Sequence, residues 1–315
     1  MNFTTKIPIK KSNFPIDYDA NIISIGSCFA ENMGDKLEYF KFQNTTNPFG
    51  IIFNPVSIQN LIDRAVNKIE FSEKDIFFHN DLWHCFEVHS SSSKSSSELL
   101  LDSLNKSLHF FRTQILEATH FIITYGTSWV YRHKVSNKIV ANCHKVSQNQ
   151  FDKEILSVQH IEESIKSTIH LIHSINPNCK FIFTISPVRH IKDGFVENQR
   201  SKAHLITALH ASNFQLPTSN YFPSYEILMD ELRDYRFYAE DMLHPNQVAI
   251  DYIWIQFFEN YMSEDVFATM NEICSIQKGL KHRPFNPNTE QHKKFLINLN
   301  HKMDHVTKKY PHIQF

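Results

Sequence analysis

Short runs of apolar residues, each followed by glycine or proline, dominate the hydrophobic pattern of the chain. Three of these runs are nearly continuous: residues 21–25 (NIISI), 121–125 (FIITY) and 180–185 (KFIFTI). Such runs are typical of strands buried on both faces of a sheet. Between the runs, apolar residues recur three or four positions apart, as at Phe29, Met33 and Leu37. The alternation of the two patterns predicts a parallel sheet covered by helices.

The remaining segments predict the elements that connect and extend this sheet. The helical pattern recurs in five further segments, which are residues 57–68, 99–116, 155–174, 201–211 and 246–261. Less regular patterns predict a hairpin over residues 76–88, a β-excursion over 128–140 and, within residues 219–228, a strand near Tyr225. Loops are expected at residues 44–55, 90–97, 142–146 and 233–244. From residue 263 onward the chain is mostly helical, with a break at 283–287, so one α/β domain with a helical C-terminal extension is expected.

Composition and charge exclude several classes of protein. Of 315 residues, 42% are hydrophobic and 13% aromatic, which is enough for a substantial core. Lys and Arg number 32 against 33 Asp and Glu, for a net charge of −1. A chain this neutral has no long-range attraction to nucleic acid or to an anionic membrane. No run is long enough to span a bilayer, and residues 1–11 lack a signal-peptide pattern.

Cysteine and histidine spacing favours neither disulfides nor a metal site. The five cysteines are irregularly spaced and form no C-x-x-C motif, so we expect reduced thiols in a cytoplasmic setting. Among nineteen histidines there is no H-E-x-x-H motif. His170 and His173 lie one helical turn apart, but a partly buried helix face explains this pair better than zinc does.

Candidate chemistry follows the predicted strands, because ligands of open α/β sheets bind at the carboxyl ends of the strands. Gly26, Ser27 and Cys28 follow the first strand and open a helix. A helix N-terminus lowers the pKa of a thiol and favours an oxyanion. The alternative is a structural role, with Ser27 as the N-cap and Cys28 as a small buried residue.

The ends of the other two strands carry weaker candidates. Gly126, Thr127 and Ser128 follow the second strand and offer N–H and hydroxyl donors to an oxyanion, although an ordinary turn explains them as well. Arg189 and His190 follow the third strand and are candidates to face the same crevice. A surface ion pair is the alternative for Arg189.

Asp241 and His244 form the second candidate group. Residues three apart lie on one side of a turn, so the carboxylate can fix the imidazole tautomer while the other ring nitrogen faces a nucleophile. Pro245 then opens an apolar helix. A D-x-x-H-P sequence at the start of the last helix of an α/β fold is much more specific than D-x-x-H alone. The alternative is a helix cap formed by Asp241.

The string Gly26-Ser27-Cys28-Phe29-Ala30 matches the signature of the GSCFA family, which resembles the wider SGNH/GDSL hydrolases. Further family motifs follow in order along most of the chain: N-P-F-G at 47–50, Y-G-T-S at 125–128, N-C-H-K-V at 142–146, S-P-V-R at 186–189, S-K at 201–202, Y-F-P-S-Y-E at 221–226, D-x-x-H-P-N at 241–246 and H-R-P-F-N-P at 282–287. The resemblance implies a three-layer α/β/α, flavodoxin-like sheet of mostly parallel strands. It places an SGNH-like domain at residues 1–262 and a helical extension packed on it at 263–315.

The resemblance also implies roles for single residues. In the G-D-S-L register, Cys28 takes the position of the nucleophilic serine and Ser27 that of the aspartate. We favour Cys28, because a strand-to-helix elbow rarely tolerates a one-residue shift. Ser27 as the nucleophile and a site without catalysis are the alternatives. Asp241 and His244 match the D-x-x-H block as orienting acid and general base.

The oxyanion and substrate residues match the superfamily less closely. Gly50 fits the oxyanion glycine, whereas Ser128 stands where SGNH enzymes carry an asparagine, so Asn142 is an alternative amide. Candidate residues on the substrate side, in addition to these, are His144, Arg189, Lys202, Arg283 and, more weakly, His89.

The function implied by the resemblance is hydrolysis of an ester of a small molecule or carbohydrate. Cys28 or Ser27 attacks the carbonyl, His244 accepts the proton and Asp241 orients His244; this scheme requires no metal and no organic cofactor. One alternative is acyl transfer by the same residues. Another is a non-catalytic binding module, which the missing G-D-S-L serine and the missing asparagine favour. The sequence leaves the oligomeric state open.

Overall fold

The three apolar runs form central strands, and the computed structural model describes residues 4–213 and 217–315. Its strands are β1 (Asn21–Gly26), β2 (Gln43–Thr46), β3 (Ile76–His79), β4 (Leu82–Cys85), β5 (His120–Tyr125), β6 (Trp129–His133), β7 (Lys138–Val140), β8 (Phe151–Ile155), β9 (Lys180–Ile185) and β10 (Ser219–Phe222). Its helices are α1 (Cys28–Tyr39), α2 (Pro55–Asn67), α3 (Ser97–Glu117), α4 (Val158–Ile175), α5 (Phe195–Asn213), the short α6 (Ser224–Glu226), α7 (Gln247–Tyr261), α8 (Val266–Lys281) and α9 (Glu290–Lys309).

The main sheet is parallel throughout, with five strands in the order β10-β9-β5-β1-β2. This is the doubly wound order of flavodoxin-like folds, in which the strand order reverses beside the first strand. The reversal lies between β1 and β5, where Gly26 pairs with Thr124. The predicted three-layer α/β/α architecture is confirmed, and ligands are expected at this point of the sheet.

Each face of the sheet has its own apolar core, which explains the continuous apolar runs. Ile23 and Ile25 point to a core shared with α2, α3, α4 and α5. Ile22 points to the opposite core, shared with α1, α7, α8 and α9. Alternate residues of β1 are therefore buried on opposite sides of the sheet.

The C-terminal helices belong to the second core. Ile273 and Ile276 of α8 and Leu299 of α9 are buried with Phe29 and Trp254. The break predicted at residues 283–287 separates α8 from α9. The extension therefore packs on the α/β sheet, and a domain boundary at residue 262 stays a prediction.

The accessory strands were predicted only in part. The hairpin of β3 and β4 is confirmed, with both turn residues, Asn80 and Asp81, at positive φ as two-residue hairpin turns require. The prediction of a loop from residue 44 was wrong at its start, because the polar strand β2 pairs there with β1. Residues 219–228 do contain a strand, as predicted, but its expected position near Tyr225 was wrong. β10 ends at Phe222, and Ser224, which opens α6, donates its hydroxyl to Ile185 O at 2.7 Å.

Among the residues described, no helix is both long and apolar enough to cross a membrane.

Candidate active site

The turn after β1 is shaped by Gly26. Its φ is +141°, and a Cβ there would lie 2.1 Å from the carbonyl oxygen of Thr124. Only glycine fits this close approach to β5. The Ser27 N–H then donates to the same carbonyl at 3.0 Å, and α1 begins at Cys28. The turn thus places Cys28 at the carboxyl end of β1, beside the reversal of strand order.

Ser27 and Cys28 differ in accessibility. Ser27 is completely buried, and its Oγ has no partner among the described residues and does not cap α1. Cys28 is only partly buried. A nucleophile must reach the substrate, so the geometry favours Cys28 as the reacting residue and gives Ser27 a packing position.

The acidic thiol expected at Cys28 is not what the structure shows. Burial raises the pKa of the Cys28 thiol, and the carboxylate of Glu31 raises it further. Lys202 and the backbone N–H groups of Phe29 and Cys28 act in the opposite direction but do not outweigh burial. The expectation of a lowered pKa was therefore wrong. The thiol does lie at a helix N-terminus, but the cost of charging a partly buried, poorly solvated thiol is larger than the effect of the helix.

Asp241 and His244 form the hydrogen-bonded pair that their spacing predicts. The carboxylate Oδ2 lies 2.5 Å from His244 Nδ1, and Oδ1 accepts the N–H groups of Leu243 at 2.9 Å and His244 at 3.0 Å. The N–H groups of His244 and Leu243 and the imidazole hydrogen bond lower the pKa of Asp241 to about 2. Both side chains are about half exposed. His244 Nε2, which has no protein partner in the described part of the chain, is the free ring nitrogen.

Arg189 supports the loop that carries this pair. Its backbone N–H donates to Leu243 O at 3.3 Å, and its guanidinium donates to Met242 O and stacks on Tyr238, 4.3 Å from the ring centroid. Met242 has a positive φ of 59°, a conformation that needs such support. Arg189 therefore fixes the Asp241–His244 loop to the end of β9 and is not placed as a surface ion pair.

The predicted oxyanion donors already have acceptors. The N–H of Gly50 donates to Asn47 O at 2.8 Å, and those of Gly126 and Thr127 donate to Phe53 O at 2.8 and 3.2 Å. Ser128 donates its N–H to Ser201 Oγ at 2.8 Å and its hydroxyl to Ser201 O at 3.2 Å. The N–H groups nearest the thiol are those of Cys28 and Phe29, which open α1 and lack acceptors within the helix.

Asn142 and His144 lie against the β3–β4 hairpin. The side chain of Asn142 accepts the N–H of His144 at 2.8 Å, and His144 Nε2 lies 2.7 Å from Cys85 O. Burial lowers the pKa of His144 to about 4, so the ring is neutral near pH 7. The hydrogen bonds of the described residues do not join this pair to Cys28 or His244. His89 packs against Gly50, and Arg283 is exposed after α8.

Comparison with known families agrees with these motifs. The model of the GSCFA family matches residues 21–257, and the model of the GSCFA domain protein, C-terminal domain, matches residues 273–315. The chain belongs to the GSCFA family. A search of curated proteins found no match.

Two GSCFA motifs hold the site together in ways that the sequence analysis did not assign. In N-P-F-G, the Asn47 side chain accepts the N–H of Gly26 at 2.8 Å. The residue of this motif that binds the turn after β1 is therefore Asn47 and not the expected Gly50. In S-K, Ser201 binds Ser128, and Lys202 donates to Gly126 O and Ser186 O. The sequence did contain a signal for the burial of Lys202. This lysine is spaced three and seven residues from Leu205 and Leu209, so it lies on the same buried face of α5.

His190 is close enough to both Lys202 and His244 for their charges to act on it. Burial, together with these two charges, lowers the pKa of His190 to about 3. Its ring is therefore neutral near pH 7, packed edge-on against Phe53 at 5.3 Å. Lys202 therefore interacts electrostatically with both Cys28 and His190, and His190 with His244.

Neither a metal site nor the cavity beside α2 coincides with Cys28 and His244 in the described part of the chain. The described residues contain no group of three or more histidine, cysteine, aspartate or glutamate side chains placed to hold a metal ion. A cavity of about 670 Å³ lies between α2 and the accessory strands, and its lining includes neither Cys28 nor His244. Arg64 in its wall donates hydrogen bonds to both Asp75 and Glu87. The charged groups of the cavity wall are therefore bound within the protein, and the candidate nucleophile and base lie elsewhere, at the carboxyl ends of the strands.

Proposed function

We propose that this GSCFA protein cleaves an ester of a small molecule or carbohydrate, with Cys28 as nucleophile. The observation that carries the proposal is the placement of two groups at the same end of the main sheet, where the carboxyl ends of its parallel strands lie. Cys28 stands at a helix N-terminus beside the reversal of strand order. The Asp241–His244 pair is fastened to the end of β9 through Arg189.

Each group has a defined part in the reaction. His244 Nε2 takes the proton of the Cys28 thiol as Sγ bonds to the ester carbonyl carbon. Collapse of the tetrahedral intermediate breaks the carbon–oxygen bond, and the alcohol leaves with the proton from His244. Water then attacks the thioester with His244 as base, which yields the carboxylic acid and restores the thiol. Asp241 holds the imidazole in the tautomer that presents Nε2.

The raised pKa of the Cys28 thiol explains why the reaction needs His244 as a base. A thiol that is protonated near neutral pH attacks slowly unless a base removes its proton. The N–H groups of Cys28 and Phe29 support the developing oxyanion, because they point out of the N-terminus of α1.

The test is cleavage of activated esters, such as p-nitrophenyl acetate and butyrate, with mapping of the acylated peptide by mass spectrometry. We expect an acyl group on Cys28, loss of turnover in Cys28→Ala, and a decrease of about 10²-fold or more in His244→Ala. Cys143→Ala is the matched control, because Cys143 is another partly buried thiol. It should cleave at the wild-type rate.

Unchanged turnover in Cys28→Ala would contradict the thiol mechanism. Added alcohols separate hydrolysis from acyl transfer: an acceptor that takes most of the acyl group in preference to water would identify a transferase. The raised pKa of Cys28 favours one second candidate, a binding module that keeps the pocket. An unacylated Cys28, together with saturable binding of the ester, would identify this function.

A further inference from the structure

Lys202 is a buried lysine without an ionic partner. Its side chain projects from α5 and is 1% exposed. Within residues 4–213 and 217–315, no carboxylate lies within ion-pair distance of its Nζ. Lysine is almost never fully buried unless it is paired, because burial of an ammonium costs several kcal/mol. The position therefore needs an explanation beyond packing.

The ammonium of Lys202 lies at the sheet edge that carries the nucleophile. Nζ donates to Gly126 O at 2.8 Å and to Ser186 O at 2.7 Å, the first residues after β5 and β9. The neighbouring strand of β5 is β1, and the Ser27 N–H is bound to Thr124 O. Lys202 is thus one strand away from the turn that presents Cys28.

The two carbonyls accept two of the three hydrogens of the Lys202 ammonium. An ammonium has three hydrogens, and a neutral amine has two. Both carbonyl bonds therefore persist whether Lys202 is charged or neutral, and the third hydrogen is the one that titrates. Burial lowers the pKa of Lys202 to about 7, while the thiolate form of Cys28 and the carboxylate of Glu226 favour the charged state.

Three elements bring titratable or aromatic groups to this ammonium. Cys28 comes from α1, and Glu226 comes from α6 together with the ring of Tyr225 at 5.4 Å. His190 comes from the segment after β9. Glu226 is hydrogen-bonded to the Tyr221 hydroxyl at 2.7 Å, and burial raises its pKa. Cys28 heads the groups that favour the charged lysine.

We propose that Lys202 is a positioning residue whose positive charge, held one strand away from the turn that presents Cys28, stabilises the Cys28 thiolate, while its two carbonyl bonds fix the ends of β5 and β9. The inference rests on the proposed role of Cys28. Deprotonation of Cys28 near a charged Lys202 creates an ion pair in a poorly solvated site, where the attraction is strong. The thiolate therefore forms most readily when Lys202 keeps its proton.

Alkylation of Cys28 by iodoacetamide as a function of pH tests this proposal without any ester. The variants are Lys202→Met, which removes the charge and the hydrogen bonds, Lys202→Gln, which keeps amide hydrogens without a charge, and Lys202→Arg, which keeps the charge. Cys143 is the internal reference in every sample, because its thiol responds to burial and to Lys192.

We expect Cys28 of Lys202→Met and Lys202→Gln to react about tenfold more slowly near pH 7.5, equivalent to a rise of about one unit in its apparent pKa. Lys202→Arg should stay within about threefold of wild type. In wild type, the coupled loss of two protons should spread the alkylation profile over a wider pH range than one group gives. This last measurement needs no variant and applies even where Lys202→Met fails to fold.

The proposal is overturned when folded Lys202→Met and Lys202→Gln match wild type in rate and profile, which would leave Lys202 a purely structural role. A wild-type profile with the steepness of a single titrating group also overturns it. Absent ester cleavage combined with a Lys202-dependent thiol would instead remove the proposed hydrolase and leave this inference standing.

Discussion

Ser27 and Cys28 are adjacent in sequence, yet only the side chain of Cys28 is accessible to solvent. The extended N-cap conformation turns Ser27 into the protein, where its hydroxyl is sealed, while Cys28 begins α1. Asp241, unlike Ser27 and Cys28, is governed by local hydrogen bonds and not by burial. It is exposed, and local hydrogen bonds keep its pKa near 2. At the scale of single residues, the site combines a thiol hindered by burial with a carboxylate that remains charged at almost any working pH.

Asp241→Asn tests the orienting role of this carboxylate. The amide offers a donor nitrogen where His244 Nδ1–H needs an acceptor, so the imidazole loses its preferred tautomer. We expect turnover of the activated esters to fall by about 10²-fold or more while the free energy of unfolding changes by less than about 1 kcal/mol. Steady-state kinetics and urea denaturation check the two parts. Turnover like that of wild type would show that His244 needs no orientation.

The elements around the site are held together by backbone carbonyls, one near the end of β5 and one in the loop before α2. The carbonyl of Thr124 takes the N–H of Ser27, and that of Phe53 takes two N–H groups from the turn after β5. The N–H groups of Gly126 and Thr127, which were predicted to bind an oxyanion, therefore already have an acceptor. Strand register therefore decides which amides are available for chemistry, because each turn is bonded to its neighbour before any ligand arrives.

Gly26→Ala tests the close approach of β1 and β5. The new Cβ would lie 2.1 Å from Thr124 O, so we expect a loss of roughly 2–4 kcal/mol in the free energy of unfolding. Gly194→Ala is the matched control. Gly194 also has a positive φ, of 102°, but nothing lies within 4 Å of the added atom. Its loss should be about 1 kcal/mol, and equal losses in urea denaturation would contradict the argument.

Asp75, in the turn directly before β3, leads to a prediction about the pH dependence of stability. Burial disfavours the charge of Asp75, but hydrogen bonds from Ser72 and Arg64 outweigh it and lower its pKa below 3.8. A lowered folded pKa means stability that is present above 3.8 and lost as pH falls below it. We expect Asp75→Asn to cost about 1–3 kcal/mol at neutral pH, with the difference from wild type shrinking below about pH 4.

Urea denaturation across pH measures this dependence. Asp102→Asn is the control, because Asp102 pairs with Lys106 on the exposed surface of α3. It should change stability by less than about 0.5 kcal/mol. A difference for Asp75→Asn that stays constant down to pH 2 would refute the linkage.

At the scale of the whole molecule, the helical extension and the sheet share one core. Ile276 of α8 is fully buried in the cluster that contains Phe29, the residue after Cys28. Gly279 is also in close contact with α9, since an added Cβ would lie 2.7 Å from Leu299 Cδ1. The extension therefore supports the helix that carries the candidate nucleophile.

Ile276→Ala should lower the free energy of unfolding by about 2–4 kcal/mol. We expect the loss in a single cooperative transition, followed by the fluorescence of Trp254, which lies in the same core. Ile297→Ala, at a position 55% exposed on α9, is the control and should change stability by less than about 0.5 kcal/mol. Two separate transitions would mean that the extension folds independently.

Local patterns sufficed for the central strands and for the Asp241–His244 pair. Continuous apolar runs identify strands buried on both faces, and a spacing of three residues places a carboxylate beside an imidazole with no help from the rest of the chain. The polar strand β2 escaped prediction because parallel pairing with β1, rather than its own side chains, stabilises it.

By itself, the sequence determined the fold class, the family motifs and the two chemical groups of the site. Only the tertiary structure decided that the Cys28 thiol is hindered by burial, that the expected amide donors are occupied, and that Lys202 lies between the ends of β5 and β9. The physical reason is that solvation and hydrogen-bond availability depend on atoms contributed by residues distant in the chain. Those atoms meet only after the sheet has formed.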